Sequence, residues 1–503
     1  MSPTVREERS GTGLRCYSPS NIGPASSANG WFMTRDSWLH TKIVCTLGPA
    51  TDSPEVLEGL ISGGMDVARI NMSHGSHDDQ ARRVQDVREV SRNLGRPVSI
   101  LADLPGPKFR IGDLAGGARK LHDGTRVYLA EEASTPDFLP IRHRALLGAL
   151  RAGEYVYLAD GSIELLVKAT TGDRVECEVV AGGTVRSGSG INVPELNLPA
   201  LVPTEHDRVC LAFAASQAID WIGVSFVQGA DDLARVRACL ANAYQPLLMA
   251  KIEKRRALTA LDAIVETADA IMVARGDLGV ETDLAEIPLV QKRIIATANA
   301  KARPVVTATQ MLESMVEREH PTRAEVTDIA NAVLDGTDAV MLSAESAIGR
   351  NPVAAVNILR RVIAATQAEY AARMAQTRLQ GRGAVSADEA IGFAACQLAE
   401  QLDARAIIVH VQSLPQAAAI ARFRPRAPIV AFTDSGSVCR SLTLISGVSP
   451  LYAGSHADAQ GRISQARDWL YAHTPTRPGE PVIVLSASVG TEATADTLQV
   501  VRL

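Results

Sequence analysis

The sequence lacks the features that mark membrane proteins, disulfide-rich proteins and nucleic-acid-binding proteins. No apolar stretch approaches the ~18 residues of a membrane-spanning helix, and the N-terminus has no apolar signal region. The seven cysteines are scattered and never form C-x-x-C, which predicts free thiols in a reducing cytoplasm. Runs of five like charges are absent, and the net charge is −5. We therefore expect a soluble, cytoplasmic protein that binds neither nucleic acid nor membrane.

Eight short apolar runs, each followed by polar or charged residues, recur between residues 42 and 345. Strand and helix repeated eight times are typical of a (β/α)8 TIM barrel, whose chemistry lies at the carboxyl ends of the strands. The runs are residues 43–47, 67–70, 98–102, 221–224, 247–250, 270–274, 305–308 and 339–342. We expect the residues that follow them to form one polar ring over an apolar core.

A second domain is expected inside the barrel sequence. Far more sequence separates the third run from the fourth than one helix needs, and polar and apolar residues alternate there around an Asp160-Gly161 hairpin turn. This pattern predicts a β-barrel lid domain at residues 109–198, inserted into a catalytic barrel formed by residues 39–108 and 199–375.

The two ends of the chain differ from the barrel. Residues 1–38 show neither the helical nor the strand period and are expected to form a disordered tail, unless the true start is Met33. Apolar runs alternate with helical stretches in residues 384–503, which predicts a C-terminal α/β domain.

Two carboxylates and a lysine follow the fifth and sixth runs. Glu253 and Asp277 would point into the same space, where paired carboxylates can hold a divalent ion and leave positions for substrate oxygens. Alternatively, each carboxylate caps the following helix and Lys251 is a surface lysine. Because Lys251 lies on an otherwise apolar strand, we favour a metal site in which it neutralises charge on a transferring phosphoryl group or an enolate.

Other polar residues at the strand ends allow two interpretations each. A phosphate-binding set and ordinary loop polarity both explain the group Arg69, Asn71, Ser73, His74 and Arg110. Residues 276–279 begin a helix, whose backbone N–H groups could bind a carboxylate or phosphate. Thr309 could hydrogen-bond the reacting centre or cap a helix.

Five longer motifs resemble those of the pyruvate kinase family. They are ARINMSHG (68–75), MVARGDLG (272–279), ATQMLESM (308–315), PTRAE (321–325) and NAVLDG (331–336). The resemblance extends from about Thr41 to the C-terminus. It implies the three-domain layout described above, phosphoryl transfer from phosphoenolpyruvate to ADP giving pyruvate and ATP, and a homotetramer.

The resemblance also implies a role for each matching residue. Glu253 and Asp277 match the ligands of Mg²⁺ or Mn²⁺; Lys251 matches the phosphoryl-transfer lysine, which acts with Arg69, and Thr309 lies beside the carbon that receives a proton. The residues expected to contact phosphoenolpyruvate are Arg69, Lys251, Ala274, Arg275, Gly276, Asp277 and Thr309. Those expected on the nucleotide side are Asn71, His74 and Arg110.

Lys108 departs from the motif of potassium-dependent members, which carry glutamate at this position. In the family, this exchange accompanies potassium independence, because an ammonium group can stand where the monovalent cation would lie. We therefore expect no potassium requirement, although Asn71, Ser73 and Asp103 still match the ligands of that ion.

Three further departures concern the nucleotide and regulation. Pro105 and Ser189 stand where the family carries polar or basic residues near the nucleotide, which puts ADP affinity or nucleotide preference in doubt. Residues 412–416 lack the glycine of the family's effector-phosphate loop, so control by a sugar bisphosphate is not expected. The arginines nearby are instead expected to serve packing or subunit contacts: Arg422, Arg424 and Arg426.

Two other functions compete with this interpretation. A magnesium-dependent lyase of the phosphoenolpyruvate and pyruvate barrel group would also use paired acids, but it does not account for the lid or for Arg110. A non-catalytic paralogue would explain the missing nucleotide cations, but it does not account for the intact set of Lys251, Glu253, Asp277 and Thr309.

Overall fold

The computed structural model describes residues 39–132, 135, 137–141, 143–159, 161–171, 174–194, 202–240, 244–379, 387–453, 459–486 and 497–503. The expected tail at residues 1–38 lies outside these ranges, as do Cys16 and Asp160. The six cysteines inside them are free. No helix in the described ranges combines the length and apolarity needed to cross a bilayer.

The barrel begins with three parallel strands joined by helices. These elements are β1 (Lys42–Leu47), a 3-10 helix (Pro49–Thr51), α1 (Pro54–Gly63), β2 (Met65–Asn71), α2 (His77–Asn93) and β3 (Ser99–Asp103). Ser53 caps α1 by accepting the Val56 N–H, and Pro54 takes the first helical position, where its missing N–H removes no helical bond.

The inserted segment is rich in β-structure, as expected. Its elements are β4 (Phe109–Arg110), β5 (Ala118–Leu121), β6 (Arg126–Ala130), β7 (Phe138–Pro140), α3 (Arg144–Ala149), β8 (Tyr155–Leu158), β9 (Ile163–Thr171), β10 (Arg174–Ala181), β11 (Gly183–Arg186) and β12 (Gly190–Asn192). Seven strands form a sheet in the order β4-β12-β8-β9-β10-β6-β7, and β11 pairs with β5. A bridge between Ile111 and Ile141 joins the two edges, so the sheet curls around its own core.

The remaining barrel strands alternate with helices. The elements are α4 (Glu205–Ser216), β13 (Trp221–Val224), α5 (Ala230–Cys239), β14 (Leu247–Ile252), α6 (Arg255–Thr259), α7 (Leu261–Thr267), β15 (Ala270–Ala274), α8 (Arg275–Glu281), α9 (Ile287–Ala300), β16 (Val305–Ala308), a 3-10 helix (Glu313–Val316), α10 (Arg323–Asp335), β17 (Ala339–Leu342), α11 (Ala344–Ala347) and α12 (Pro352–Leu379). Eight parallel strands close in the order β1-β17-β16-β15-β14-β13-β3-β2. Each of the eight apolar runs therefore contributes one strand, which confirms the predicted TIM barrel.

Aspartates close the amino-terminal end of the barrel. Asp66, Asp220, Asp269 and Asp338 lie at the starts of alternate strands, and each accepts a backbone N–H from the preceding strand of the barrel. The four donors, at 2.8–3.0 Å, are the N–H groups of Ile43, Ile100, Leu248 and Val305. These carboxylates satisfy strand-end donors that would otherwise be buried without a partner.

The C-terminal domain is a separate α/β unit. Its elements are α13 (Ala387–Gln401), β18 (Ile407–His410), α14 (Leu414–Ala421), β19 (Ile429–Thr433), α15 (Gly436–Ser441), a 3-10 helix (Leu442–Leu444), β20 (Val448–Tyr452), α16 (Ala459–His473), β21 (Pro481–Ser486) and β22 (Thr497–Arg502). The sheet order is β20-β19-β18-β21-β22, with β22 antiparallel to β21.

Two arginines of this domain bind the aspartates at the amino-terminal end of the barrel. Arg424 contacts Asp338 at 2.6 Å, and Arg440 contacts Asp220 at 2.8 Å. Arg422 also reaches the barrel, where it binds the carbonyl of Ala300. Arg422 and Arg424 therefore serve domain packing, one of the two roles expected from the sequence.

Candidate active site

The predicted site residues gather at the carboxyl ends of the barrel strands. Asn71 ends β2, Asp103 ends β3, Ala274 ends β15, and Thr309 directly follows β16. Lys251 lies near the end of β14. This end of the barrel is opposite the C-terminal domain and faces the segment that leads into the insert.

The ammonium group of Lys251 lies at the centre of this site. It is 3.0 Å from Asp103 Oδ1, 2.8 Å from Glu253 Oε1 and 2.7 Å from Ser225 Oγ. Burial disfavours its charged form, but the carboxylates of Asp103 and Glu253 outweigh burial and raise the pKa of Lys251. Lys251 is therefore a buried, fixed positive charge and not a surface lysine.

Asp103 joins a second cation to Lys251. Arg69 donates from Nε and Nη2 to Asp103 Oδ2 at 2.7 and 2.6 Å, and from Nη1 to Thr46 Oγ1 at 2.8 Å. Although burial favours the neutral acid, the charges of Lys251 and Arg69 lower the pKa of Asp103. One ionised carboxylate thus holds two cations in the same part of the site.

Glu253 is a buried carboxylate that does not cap the following helix. Its Oε2 accepts the backbone N–H of Phe226 at 2.7 Å, while its Oε1 accepts from Lys251. No side-chain cap is found on α6. Burial and the nearby charge of Asp277 raise the pKa of Glu253, although Lys251 opposes the shift. A cation between the two carboxylates would relieve this repulsion.

The donor set of Glu253 and Asp277 fits a divalent ion that shares its coordination with a substrate. Among the described residues, no three His, Cys, Asp or Glu side chains converge as a ready-made metal site. Mg²⁺, however, is commonly held by one or two protein carboxylates and completes its octahedron with water and phosphate oxygens. The two residues present therefore match the requirement of Mg²⁺ in a phosphoryl-transfer site.

Lys108 reaches this site from the entrance of the insert. Its Nζ lies 2.8 Å from Asp277 Oδ1. Two of the residues that match potassium ligands have protein partners, since Asn71 Oδ1 accepts the Ser73 N–H at 3.0 Å and Asp103 is shared by two cations. The structure thus places an ammonium group beside Asp277, one of the two carboxylates.

Thr309 lies against the amino terminus of α8. Its hydroxyl accepts the Gly276 N–H at 2.9 Å and donates to the Ala308 carbonyl at 2.6 Å, so it caps the first turn of α8, one of the two roles expected from the sequence. The side chain of Arg275 is directed toward the carbonyls of Ala308 and Thr309. Among residues 274–277, the Gly276 N–H is thus bonded to Thr309, and the Arg275 guanidinium binds protein groups.

The residues predicted for the nucleotide lie on two segments, the end of β2 with its following loop and strand β4 of the insert. His74 follows β2, and its carbonyl accepts from Gln80 Nε2 at 3.0 Å, which fixes the loop. Arg110 is exposed on β4 of the insert and donates to the Gly188 carbonyl at 2.9 Å. Ser189 Oγ accepts the Arg186 N–H at 3.0 Å, so this hydroxyl stabilises a turn of the insert.

Sequence reasoning missed two residues that orient the central groups. Ser225 Oγ accepts from Lys251 and donates to the Leu104 carbonyl at 2.7 Å. Phe226 has a left-handed backbone, with φ of +57°, and this conformation directs its N–H at Glu253. Both residues directly follow the fourth apolar run, and this position was the available signal.

A glycine makes room for this turn. Gly106 has a φ of +64°, and a Cβ at this position would come within 2.7 Å of the ring of Phe226. Glycine is therefore required where the chain leaves the barrel for the insert, both for its backbone conformation and for close packing.

Comparison with known proteins identifies the family. The barrel-domain model of pyruvate kinase matches residues 38–356, and the alpha/beta-domain model matches residues 389–501. The chain is 40% identical to a pyruvate kinase of Methylorubrum extorquens over 453 residues, which cover 89% of this chain and 93% of that protein. It is 39% identical to a pyruvate kinase of Mycobacterium tuberculosis over 468 residues, covering 92% and 98%. With both domain models and these relatives spanning most of its length, the chain belongs to the pyruvate kinase family.

Proposed function

We propose that this protein is a pyruvate kinase that transfers the phosphoryl group of phosphoenolpyruvate to ADP in glycolysis, giving pyruvate and ATP. The observation that carries the proposal is the buried ammonium of Lys251, which lies within 3.0 Å of Asp103 and Glu253. Phosphoryl transfer requires in-line positioning and neutralised charge more than covalent chemistry by the protein, and a buried positive charge held by two carboxylates supports such a role for Lys251.

Each residue has a distinct task in the proposed mechanism. Lys251 and Arg69 orient the phosphoryl oxygens and neutralise their charge. Glu253 and Asp277 hold Mg²⁺ or Mn²⁺, which supplies positive charge to the phosphoryl and enolate oxygens when bound. Backbone groups of residues 274–277 bind the substrate carboxylate.

Protonation of the enolate completes the proposed reaction. The Thr309 hydroxyl is the group proposed to lie beside the carbon that takes up the proton. Its bonds to the Gly276 N–H, at 2.9 Å, and to the Ala308 carbonyl, at 2.6 Å, hold it against the amino terminus of α8, and this supports a positioned role.

The nucleotide is proposed to bind between the barrel and the insert. Asn71, His74 and Arg110 are the residues proposed to contact it, and Pro105 and Ser189 remove two polar or basic contacts that the family usually has. We further propose that Lys108 takes the place of the monovalent cation, so that potassium is not required. In support, its ammonium group reaches into the active site, where it lies 2.8 Å from Asp277, and so adds a positive charge there.

The subunits and domains of the protein are also part of the proposal. We propose a cytoplasmic homotetramer, and two strongly exposed leucines before and in α9 support a subunit interface: Leu284 and Leu289, at 77% and 68% exposure. The proposed domain boundaries are those expected above: residues 1–38, 39–108 with 199–375, 109–198 and 384–503.

The direct test is pyruvate formation from phosphoenolpyruvate and Mg²⁺, compared for ADP, GDP and no nucleotide, each with and without potassium. We expect nucleotide-dependent turnover that ignores potassium, and its loss in Lys251→Met. Circular dichroism provides the control for folding. A folded protein that forms no pyruvate with either nucleotide would contradict the proposal.

A further inference from the structure

The turn after β16 has an unusual backbone. Thr309 has a φ of +70°, and the next residue, Gln310, has a φ of +54°. A β-branched residue rarely adopts this left-handed conformation, because its side chain crowds the backbone, and such strain persists only where surrounding contacts determine the geometry. The contacts that hold this turn therefore determine where the Thr309 hydroxyl lies.

One buried guanidinium binds both carbonyls of this turn. Arg275 donates from Nε to the Ala308 carbonyl at 3.3 Å and from Nη2 to the Thr309 carbonyl at 2.6 Å. Its side chain is 8% exposed, so these bonds are protected from water. The planar group is suited to bind two consecutive carbonyls, whereas a lysine could offer only a point charge.

The guanidinium is itself fixed from two helices. Asp328 on α10 binds Arg275 Nη1 with both carboxylate oxygens, at 2.8 and 2.7 Å. Gln291 on α9 accepts from the same nitrogen at 3.4 Å and donates to Asp335 on α10 at 3.0 Å. The orientation of Arg275 thus depends on one carboxylate outside the reacting centre.

We propose that Asp328 is a positioning residue, which acts through Arg275 to fix the Thr309 hydroxyl for protonation of the enolate. The proposal rests on the role given to Thr309 above. Because the hydroxyl also accepts the Gly276 N–H, a shift of the turn changes the geometry at the carbon that is protonated. Groups that bind the phosphoryl end, such as Lys251, lie on another strand and keep their contacts.

The test compares two half-reactions in Asp328→Asn, Asp328→Glu and the wild type. Exchange of the pyruvate methyl hydrogens in D2O, with Mg²⁺ and ATP, measures breakage of the C3–H bond and formation of the C3–D bond. Steady-state ATP formation provides kcat and the KM for phosphoenolpyruvate. Thr327→Ala, an exposed neighbour on α10, is the matched control.

We expect Asp328→Asn to slow methyl exchange by roughly tenfold to a hundredfold, since a small displacement of a positioned group has effects of this size. The KM should change far less, Asp328→Glu should recover part of the rate, and Thr327→Ala should match the wild type. Asp328→Asn removes the charge that balances a buried guanidinium and should lower the melting temperature, so all rates are compared at a temperature at which circular dichroism shows every variant to be folded.

Two results would overturn the proposal. One is a rate of methyl exchange in Asp328→Asn that equals the rate of the wild type. The other is an equal fold-reduction in the exchange rate and in kcat and kcat/KM for ATP formation by the folded variant, which would indicate a general structural role. Either result leaves the proposed function intact if the wild type forms pyruvate, whereas an inactive wild type would refute the proposed function itself.

Discussion

Replacing Lys108 by glutamate should make this enzyme depend on potassium. The ammonium lies 2.8 Å from Asp277, and the two side chains are only 21% and 24% exposed. A hydrogen bond to a charged group contributes about 1.5–3 kcal/mol, and the partial exposure favours the lower end of this range. The new carboxylate would also repel Asp277. Since about 1.4 kcal/mol corresponds to a factor of ten, kcat/KM without potassium should fall roughly tenfold to a hundredfold.

The assay is pyruvate formation at fixed ionic strength, with potassium replaced stepwise by tetramethylammonium. The wild type should respond little, and Lys108→Glu should recover activity as potassium rises. Lys120→Glu, an exposed lysine on β5 of the insert, makes the same charge change and should behave as the wild type. The reasoning is refuted if potassium strongly activates the wild type, or if Lys108→Glu keeps its kcat/KM without potassium.

Three further perturbations test other parts of the structure. Ser225→Ala removes one acceptor of Lys251 and should lower kcat by roughly tenfold, a loss of about 1–2 kcal/mol, in a steady-state assay. His40 has a pKa lowered to about 4, mainly by burial and then by nearby cations. His40 binds a proton near pH 6.5 in the unfolded chain but only near pH 4 in the folded chain. The free energy of unfolding should therefore decrease, by at most about 3 kcal/mol, as the pH falls from 6.5 to 4, and urea unfolding at several pH values measures this. Arg424→Met leaves Asp338 buried without its partner and should destabilise the protein by about 3–5 kcal/mol in urea unfolding.

Each of these predictions has a matched control. Ser216→Ala, on the exposed side of α4, should leave kcat unchanged. If Ser216→Ala lowers kcat as much as Ser225→Ala does, the role assigned to Ser225 is wrong. His40→Gln should flatten the stability profile between pH 6.5 and 4, while exposed His122→Gln should not; a profile unchanged in His40→Gln contradicts the assignment. Arg426→Met, on the exposed surface of the same domain, should cost little compared with Arg424→Met.

Much of the site could be predicted because barrel chemistry follows the strands in a regular way. The apolar runs, four or five residues long, are followed by polar groups, and the strands place those groups at one end of the barrel. Lys251, Glu253 and Asp277 could be chosen without a structure, because a lysine or paired acids next to buried strands require a compensating partner. What the lysine contacts could not be predicted, since its partners Asp103 and Ser225 come from distant parts of the chain.

Other features depend on backbone conformation that side-chain patterns do not reveal. Nothing in the order of residues shows that Phe226 or Thr309 is left-handed, because each conformation is maintained by contacts with other strands. The direction of the Arg275 side chain likewise depends on contacts with distant parts of the chain. Its motif suggested a role for the backbone in binding the substrate carboxylate and did not show that the guanidinium binds two carbonyls and Asp328.

The sequence by itself determined the barrel, the inserted β-domain, the C-terminal α/β domain and the identities of the charged residues, because hydrophobic period and turn residues are local properties. Only the tertiary structure decided which charges meet. In the folded protein, Lys251 and Arg69 form ion pairs with Asp103, Lys108 with Asp277, and Arg424 with Asp338. The physical reason is that a buried charge takes the partner that closure of the barrel and domain docking bring within reach, however far apart the two lie in the chain.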